Sequence, residues 1–81
     1  IRLGTGTINL TETDYTIIFN GNGNISLPPA NSCPGRIYII KNPSYTVGSD
    51  TFNDSTGIAQ NTIATGITWL QSSGSSWEQI N

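Results

Sequence analysis

Apolar and polar residues alternate with a period of two in short runs along this chain, and clusters of Gly, Asn, Ser and Pro separate the runs. That pattern predicts half-buried β-strands joined by turns. Thr7-Ile8-Asn9-Leu10 alternates first, and Tyr15-Thr16-Ile17-Ile18-Phe19 follows. Asn20-Gly21-Asn22-Gly23 then reads as a hairpin turn, because Asn and Gly tolerate the positive φ that tight hairpins need. Asn24-Ile25-Ser26-Leu27 resumes the alternation and ends at Pro28-Pro29, which cannot donate to a sheet.

Residues 30–34 read as a loop, and Gly35 opens the most strand-like run, Arg36-Ile37-Tyr38-Ile39-Ile40-Lys41. Its apolar content predicts a central strand buried on both faces. Residues 43–57 are polar and turn-rich, and short strands are expected near Gly57-Ile58-Ala59 and Thr62-Ile63. Gly66-Ile67-Thr68-Trp69-Leu70-Gln71 is a further strand. Ser72-Ser73-Gly74-Ser75 turns it back into Ser76-Trp77-Glu78-Gln79-Ile80, with Trp69 and Trp77 expected to face each other across this terminal hairpin. The expected fold is all-β: six to eight short, mostly antiparallel strands in a small sandwich-like or prism-like module.

Composition supports that class. Thr, Ser, Asn and Gly make up 38 of the 81 residues, and twelve Ile stand against four Leu and one Val. Ile and Thr are stiff at χ1 and suit a pleated surface. No segment combines Ala, Leu, Glu and Lys at a helical period. The chain begins at Ile1, lacks Met and has no apolar run long enough for a signal peptide or membrane span, so it reads as one module, residues 1–81, cut from a longer polypeptide.

Three basic and five acidic side chains give a net charge of −2. So sparse and acidic a set argues against nucleic acid, which selects a basic footprint, and against an anionic membrane. Hydroxyls and amides must cover the surface instead. Cys33 has no second cysteine to pair with and reads as a small packed residue. With 35% hydrophobic residues, no disulfide, and an ordering cost of about 1.5 kcal/mol per residue, the core of a lone chain is thin. Partner chains are expected to complete it.

The chain has no His, which removes the commonest general base and metal ligand. No Ser sits in a nucleophile elbow and no loop has the Lys of a phosphate cradle. Catalysis and cofactors are therefore not expected. Asp50, Asn53 and Asp54 could offer hard oxygen ligands to Ca²⁺, but their spacing is not that of an EF-hand, and a solvated loop is the preferred reading. Glu12 and Asp14 read as turn residues before a strand. Recognition, if any, is expected in the polar segment 43–57, since loops carry contacts while strands carry packing. Tyr45, Asp50, Phe52, Asn53 and Asp54 are the receptor-contact candidates.

Three stretches taken in order resemble a known module. They are Asp14-Tyr15-Thr16-Ile17-Ile18-Phe19 followed by Ile25-Ser26-Leu27-Pro28, then Pro34-Gly35-Arg36-Ile37-Tyr38-Ile39-Ile40-Lys41, then Leu70-Gln71-Ser72-Ser73-Gly74-Ser75-Ser76-Trp77. Over residues 12–80 this order resembles a β-structured module of tailed-phage fibres and virion projections, with similar modules in secreted proteins of Bacteroidetes-type bacteria. It departs at Ser73, where the pattern carries Asp before the Gly. The resemblance implies a non-enzymatic homotrimer that shapes a fibre or spike on a virion and touches a host-surface receptor or glycan. The alternative is an extracellular bacterial carbohydrate-binding or adhesin module, working as a monomer with Trp or Tyr stacked on sugar.

Overall fold

The computed structural model describes residues 2–11 and 14–81. The expectation for Glu12 lies outside the described residues. The fold is all-β, with seven strands among the described residues: β1 (Arg2–Asn9), β2 (Thr16–Ser26), β3 (Ile37–Asn42), β4 (Val47–Asn53), β5 (Ala59–Ile63), β6 (Gly66–Ser72) and β7 (Trp77–Gln79). One 3-10 turn, Ala30–Ser32, interrupts the loop between β2 and β3.

The sheet is mixed, which corrects the expectation of mostly antiparallel pairing. β1–β2, β2–β3, β2–β4 and β4–β7 are parallel, while β3–β6, β4–β5 and β6–β7 are antiparallel. The cause lies at Asn20–Gly23, which is not a hairpin. The only positive φ angles among the described residues belong to Gly6, Gly35, Gly57, Gly66 and Gly74, so residues 20–23 stay extended and β2 runs through them. With no reversal there, the chain returns through residues 27–36 and lays β3 parallel to the first half of β2 (Ile17 against Ile40). It then lays β4 parallel to the second half (Gly23 against Val47).

Gly23 is needed for another reason. A Cβ there would stand 2.2 Å from the Gly6 carbonyl oxygen, so β1 and β2 can approach only if this position is bare. The β1–β2 register slips between Gly4 and Gly6, and the β4–β5 register slips between Gly48 and Phe52. Such irregularities bend strands. A bend line therefore crosses β2 near Asn20–Asn22, the β3–β4 junction near Pro43–Thr46 and the β5–β6 junction near Ala64–Thr65. It folds the sheet into two layers, β1-β2-β4-β5 and β2-β3-β6-β7, and the contact of Asn53 with Glu78 closes the ring through β4 and β7.

Asn42 pins that bend. Its wholly buried amide donates to the Tyr45 carbonyl (2.8 Å) and the Ile63 carbonyl (3.1 Å) and accepts from Tyr45 N–H (2.8 Å). A buried amide satisfied in this way fixes geometry at little desolvation cost. Asn22 adds a bond from Thr46 N–H at 3.0 Å.

Between the layers lie Ile8, Leu10, Ile17, Phe19, Ile25, Leu27, Tyr38, Ile40, Val47, Phe52, Ile63, Leu70 and Trp77. Each buried aliphatic contributes about 1.5–3 kcal/mol. β3 is buried on one face and not both: Tyr38, Ile40 and Asn42 point inward, while Ile37 and Ile39 are half-buried and Lys41 is exposed. The Trp69–Trp77 pair expected from sequence does not form either. The turn aligns Ser72 with Trp77, so Trp77 shares the inner face with Leu70, and Trp69 turns outward. Trp77 meets Tyr38 instead, with ring centroids 5.4 Å apart, and its indole N–H donates to the Pro28 carbonyl at 2.9 Å.

Candidate functional site

Two surfaces stand out. The first is a cleft of about 330 Å³ where three distant segments meet: Leu27–Ala30 after β2, residues 50–53 of β4, and Ser75–Trp77 at the final turn. Asp50 holds its rim. One of its oxygens, Oδ2, accepts from Leu27 N–H at 2.9 Å and ties β4 to the end of β2. Nearby, Asn53 donates through Nδ2 to Glu78 Oε2 at 2.7 Å, and the Ser76 hydroxyl donates to the same oxygen at 2.7 Å. These two donors hold the Glu78 carboxyl below the usual carboxylate range, the Ser76 bond more strongly. Trp77 forms the floor, but at 5% exposed it has no free ring face on which a sugar could stack.

The structure thus gathers only part of the candidate set from segment 43–57. Asp50, Phe52 and Asn53 line the cleft. Phe52 is 3% exposed and belongs to the core, which corrects the expectation of an exposed contact: the segment is strand β4 rather than loop, and its slipped register turns Phe52 inward beside Val47. Tyr45 is half-buried against the core. Asp54 lies beyond the end of β4 and organises the β4–β5 turn. It accepts from Thr56 Oγ1 (2.6 Å), Thr56 N–H (2.8 Å), Ile58 N–H (3.0 Å) and Gln60 Nε2 (3.0 Å). The Thr56 hydroxyl leads these in pulling its pKa from 3.8 to about 2. Asp50 and Asp54 therefore serve separate local networks. Among the described residues no three His, Cys, Asp or Glu side chains converge as a metal cluster would require.

At the start of the chain, Asp14 is the turn residue its sequence position suggested, taking Thr11 N–H at 2.9 Å and pairing with Arg2 Nη1 at 2.9 Å. Burial pushes its carboxyl up, but the Thr11 and Arg2 contacts outweigh that and hold it below the ordinary value. The Arg36 guanidinium donates to the Asp14 carbonyl and lies 5.4 Å and 5.8 Å from the ring centres of Tyr38 and Tyr15. Cys33 is half-buried, its thiol 3.7 Å from the Pro29 carbonyl.

The second surface is the outer face of the β2-β3-β6-β7 layer. Ile39 pairs with Trp69, and Ile80 N–H donates to the Trp69 carbonyl at 2.9 Å, so Ile39, Trp69 and Ile80 form one outward row across β3, β6 and the residue that follows β7. Ile67 pairs with Lys41 in the next row, beside Ile18, which is also paired with Lys41. Trp69, Ile67 and Ile80 are 39%, 46% and 48% exposed, high for such large apolar side chains arranged together. The opposite layer differs. Its outward row is Thr7, Asn24, Gly48 and Thr62, polar or bare throughout. The two outer faces thus differ in polarity, the apolar row lying on one of them only. Compared with protein-family models, curated proteins and solved structures, the chain matches none.

Proposed function

We propose that this chain is a non-enzymatic structural module of a phage or virus fibre or spike, standing on the virion as a homotrimer and contributing to attachment at a host surface. The observation that supports this reading most is the outward row Ile39–Trp69–Ile80 with Ile67 beside it. Exposed apolar faces of this kind are stabilised when another protein surface covers them. Trp69 is flanked directly by Ile39, Ile67 and Ile80, with Gln71 beside it and Lys41 and Glu78 on the diagonals, so its nearest surroundings are more aliphatic than the ring of hydrogen-bonding groups a sugar platform needs. Among the described residues Asp14, Asp50, Asp54 and Glu78 each serve a local turn or strand contact, and no two of them converge as an acid–base pair.

A monomeric extracellular carbohydrate-binding or adhesin module is the second reading, favoured by the cleft at Asp50. Its carboxylate, the Asn53 amide and the Ser75 and Ser76 hydroxyls meet there. Light scattering on the purified chain over a dilution series, joined to a glycan-binding screen, separates the two. A mass of three chains that persists on dilution is expected. A monomer that binds glycan saturably would replace the fibre reading with the second one.

A further inference from the structure

Charge on the apolar outer face is not scattered. Lys41 pairs with Ile67 on one side of the Ile39–Trp69–Ile80 row, and Glu78 pairs with Gln71 on the other. Lys41 lies on β3 and Glu78 on β7, with β6 between them. They therefore stand at opposite corners of the β3-β6-β7 part of the face, with Trp69 near the midpoint, while the apolar row continues past Lys41 through Ile18 to the exposed Leu3. Two strand spacings and four residues of rise put them about 17 Å apart.

Among the described residues neither charge has an oppositely charged partner. The ion pair among the described residues is Arg2–Asp14, and Lys41 is exposed. Glu78 receives its two hydrogen bonds on Oε2, from Asn53 and Ser76, and among the described residues Oε1 receives none. Both donors are neutral, so they orient the carboxylate while leaving its charge in place.

We infer that this face is an interface between copies of the chain, in which Lys41 of one copy meets Glu78 of the next across a centre of packed Trp69 side chains. An axis that runs along the face and crosses the Lys41–Glu78 diagonal at right angles holds both corners at one height on opposite flanks. Any rotation that closes a ring about it then brings the Lys41 flank of each copy against the Glu78 flank of its neighbour. In the trimer proposed above this makes three such contacts around an apolar centre. The corner charges fix the register, and the aliphatic row with Trp69 supplies the buried area. The inference rests on the assembly reading for its number of copies. The pairing of corners is its own claim.

Charge reversal tests the pairing on the whole 81-residue chain. Lys41→Glu and Glu78→Lys are each expected to raise the dissociation constant of the assembly by about tenfold or more. The double variant, which restores opposite charge at every contact, is expected to return within about threefold of the parent. Circular dichroism checks that each variant folds. An assembly that survives both single reversals unchanged overturns the pairing and leaves the assembly reading standing. Single reversals that dissociate without recovery in the double variant also overturn it. A parent chain that is monomeric at every concentration removes the interface and the assembly reading together.

Discussion

Asn42 Nδ2 donates to the carbonyl of Ile63 at 3.1 Å, and this one bond ties the bend between β3 and β4 to the bend between β5 and β6. The two bends lie side by side because β3–β4 and β6–β5 run antiparallel along each other. The same amide also holds Tyr45 at both its N–H and its carbonyl.

Asn42→Ala therefore strands three backbone groups at a buried position. At 1–3 kcal/mol for an unsatisfied group, and with partial rescue by water, the expected loss is roughly 3 kcal/mol. Urea unfolding of the variant checks it, and a loss below about 1 kcal/mol would show that the bend does not depend on this side chain.

Gly23→Ala and Gly21→Ala separate steric need from turn preference. At Gly23 the new methyl meets the Gly6 backbone at 2.2 Å, and backbone cannot swing aside. At Gly21 it meets the Thr5 hydroxyl at 2.5 Å, which can rotate away. Gly23→Ala is expected to cost at least about 2 kcal/mol and Gly21→Ala less than about 1 kcal/mol, by thermal unfolding.

The two tryptophans should behave in opposite ways. Trp77→Ala removes a core ring stacked near Tyr38 together with its bond to the Pro28 carbonyl, so about 3–5 kcal/mol of stability should be lost. Trp69→Ser leaves the core intact, so the chain should keep its fold while its assembly weakens. Paired measurements of circular dichroism and sedimentation separate the two effects.

Asp54 carries the clearest pH signature. Its pKa falls from 3.8 to about 2 on folding, so its bonds stabilise the chain fully above pH 3.8 and lose that contribution as pH drops toward 2. The melting temperature of the parent should exceed that of Asp54→Asn near neutral pH. The gap should narrow between those two values, and a gap that stays constant down to pH 2 would contradict the assignment.

Much of the first layer was legible in the sequence. Residues 36–41 and 66–71 are dense in Ile and aromatic residues between turn signals, and β3, β6 and β7 fall where those runs put them. The second layer was hidden for physical reasons. Glycine serves both turns and close backbone approach, so Asn20–Gly23 read as a hairpin although Gly23 is there to admit the Gly6 backbone. In β4 the slipped register separates the buried residues Val47 and Phe52 by an odd interval, which erases the period of two. The cleft joins Pro28 to Trp77 across 49 positions, a contact no local pattern carries. The outer apolar face needed the register of β6 against β3 and β7, since Trp69 and Trp77 look equivalent until the turn between their strands fixes which one faces the core.

The claim that the outer face is covered by other copies of the chain is tested most directly by quenching tryptophan fluorescence with acrylamide. Trp77 is shielded by its own core, whereas Trp69 is 39% exposed on the single chain. If copies pack over this face, both tryptophans should resist quenching at concentrations where the assembly persists, and a quenchable population should emerge only on dissociation. A Trp69 signal that acrylamide reaches equally at every concentration would contradict the account.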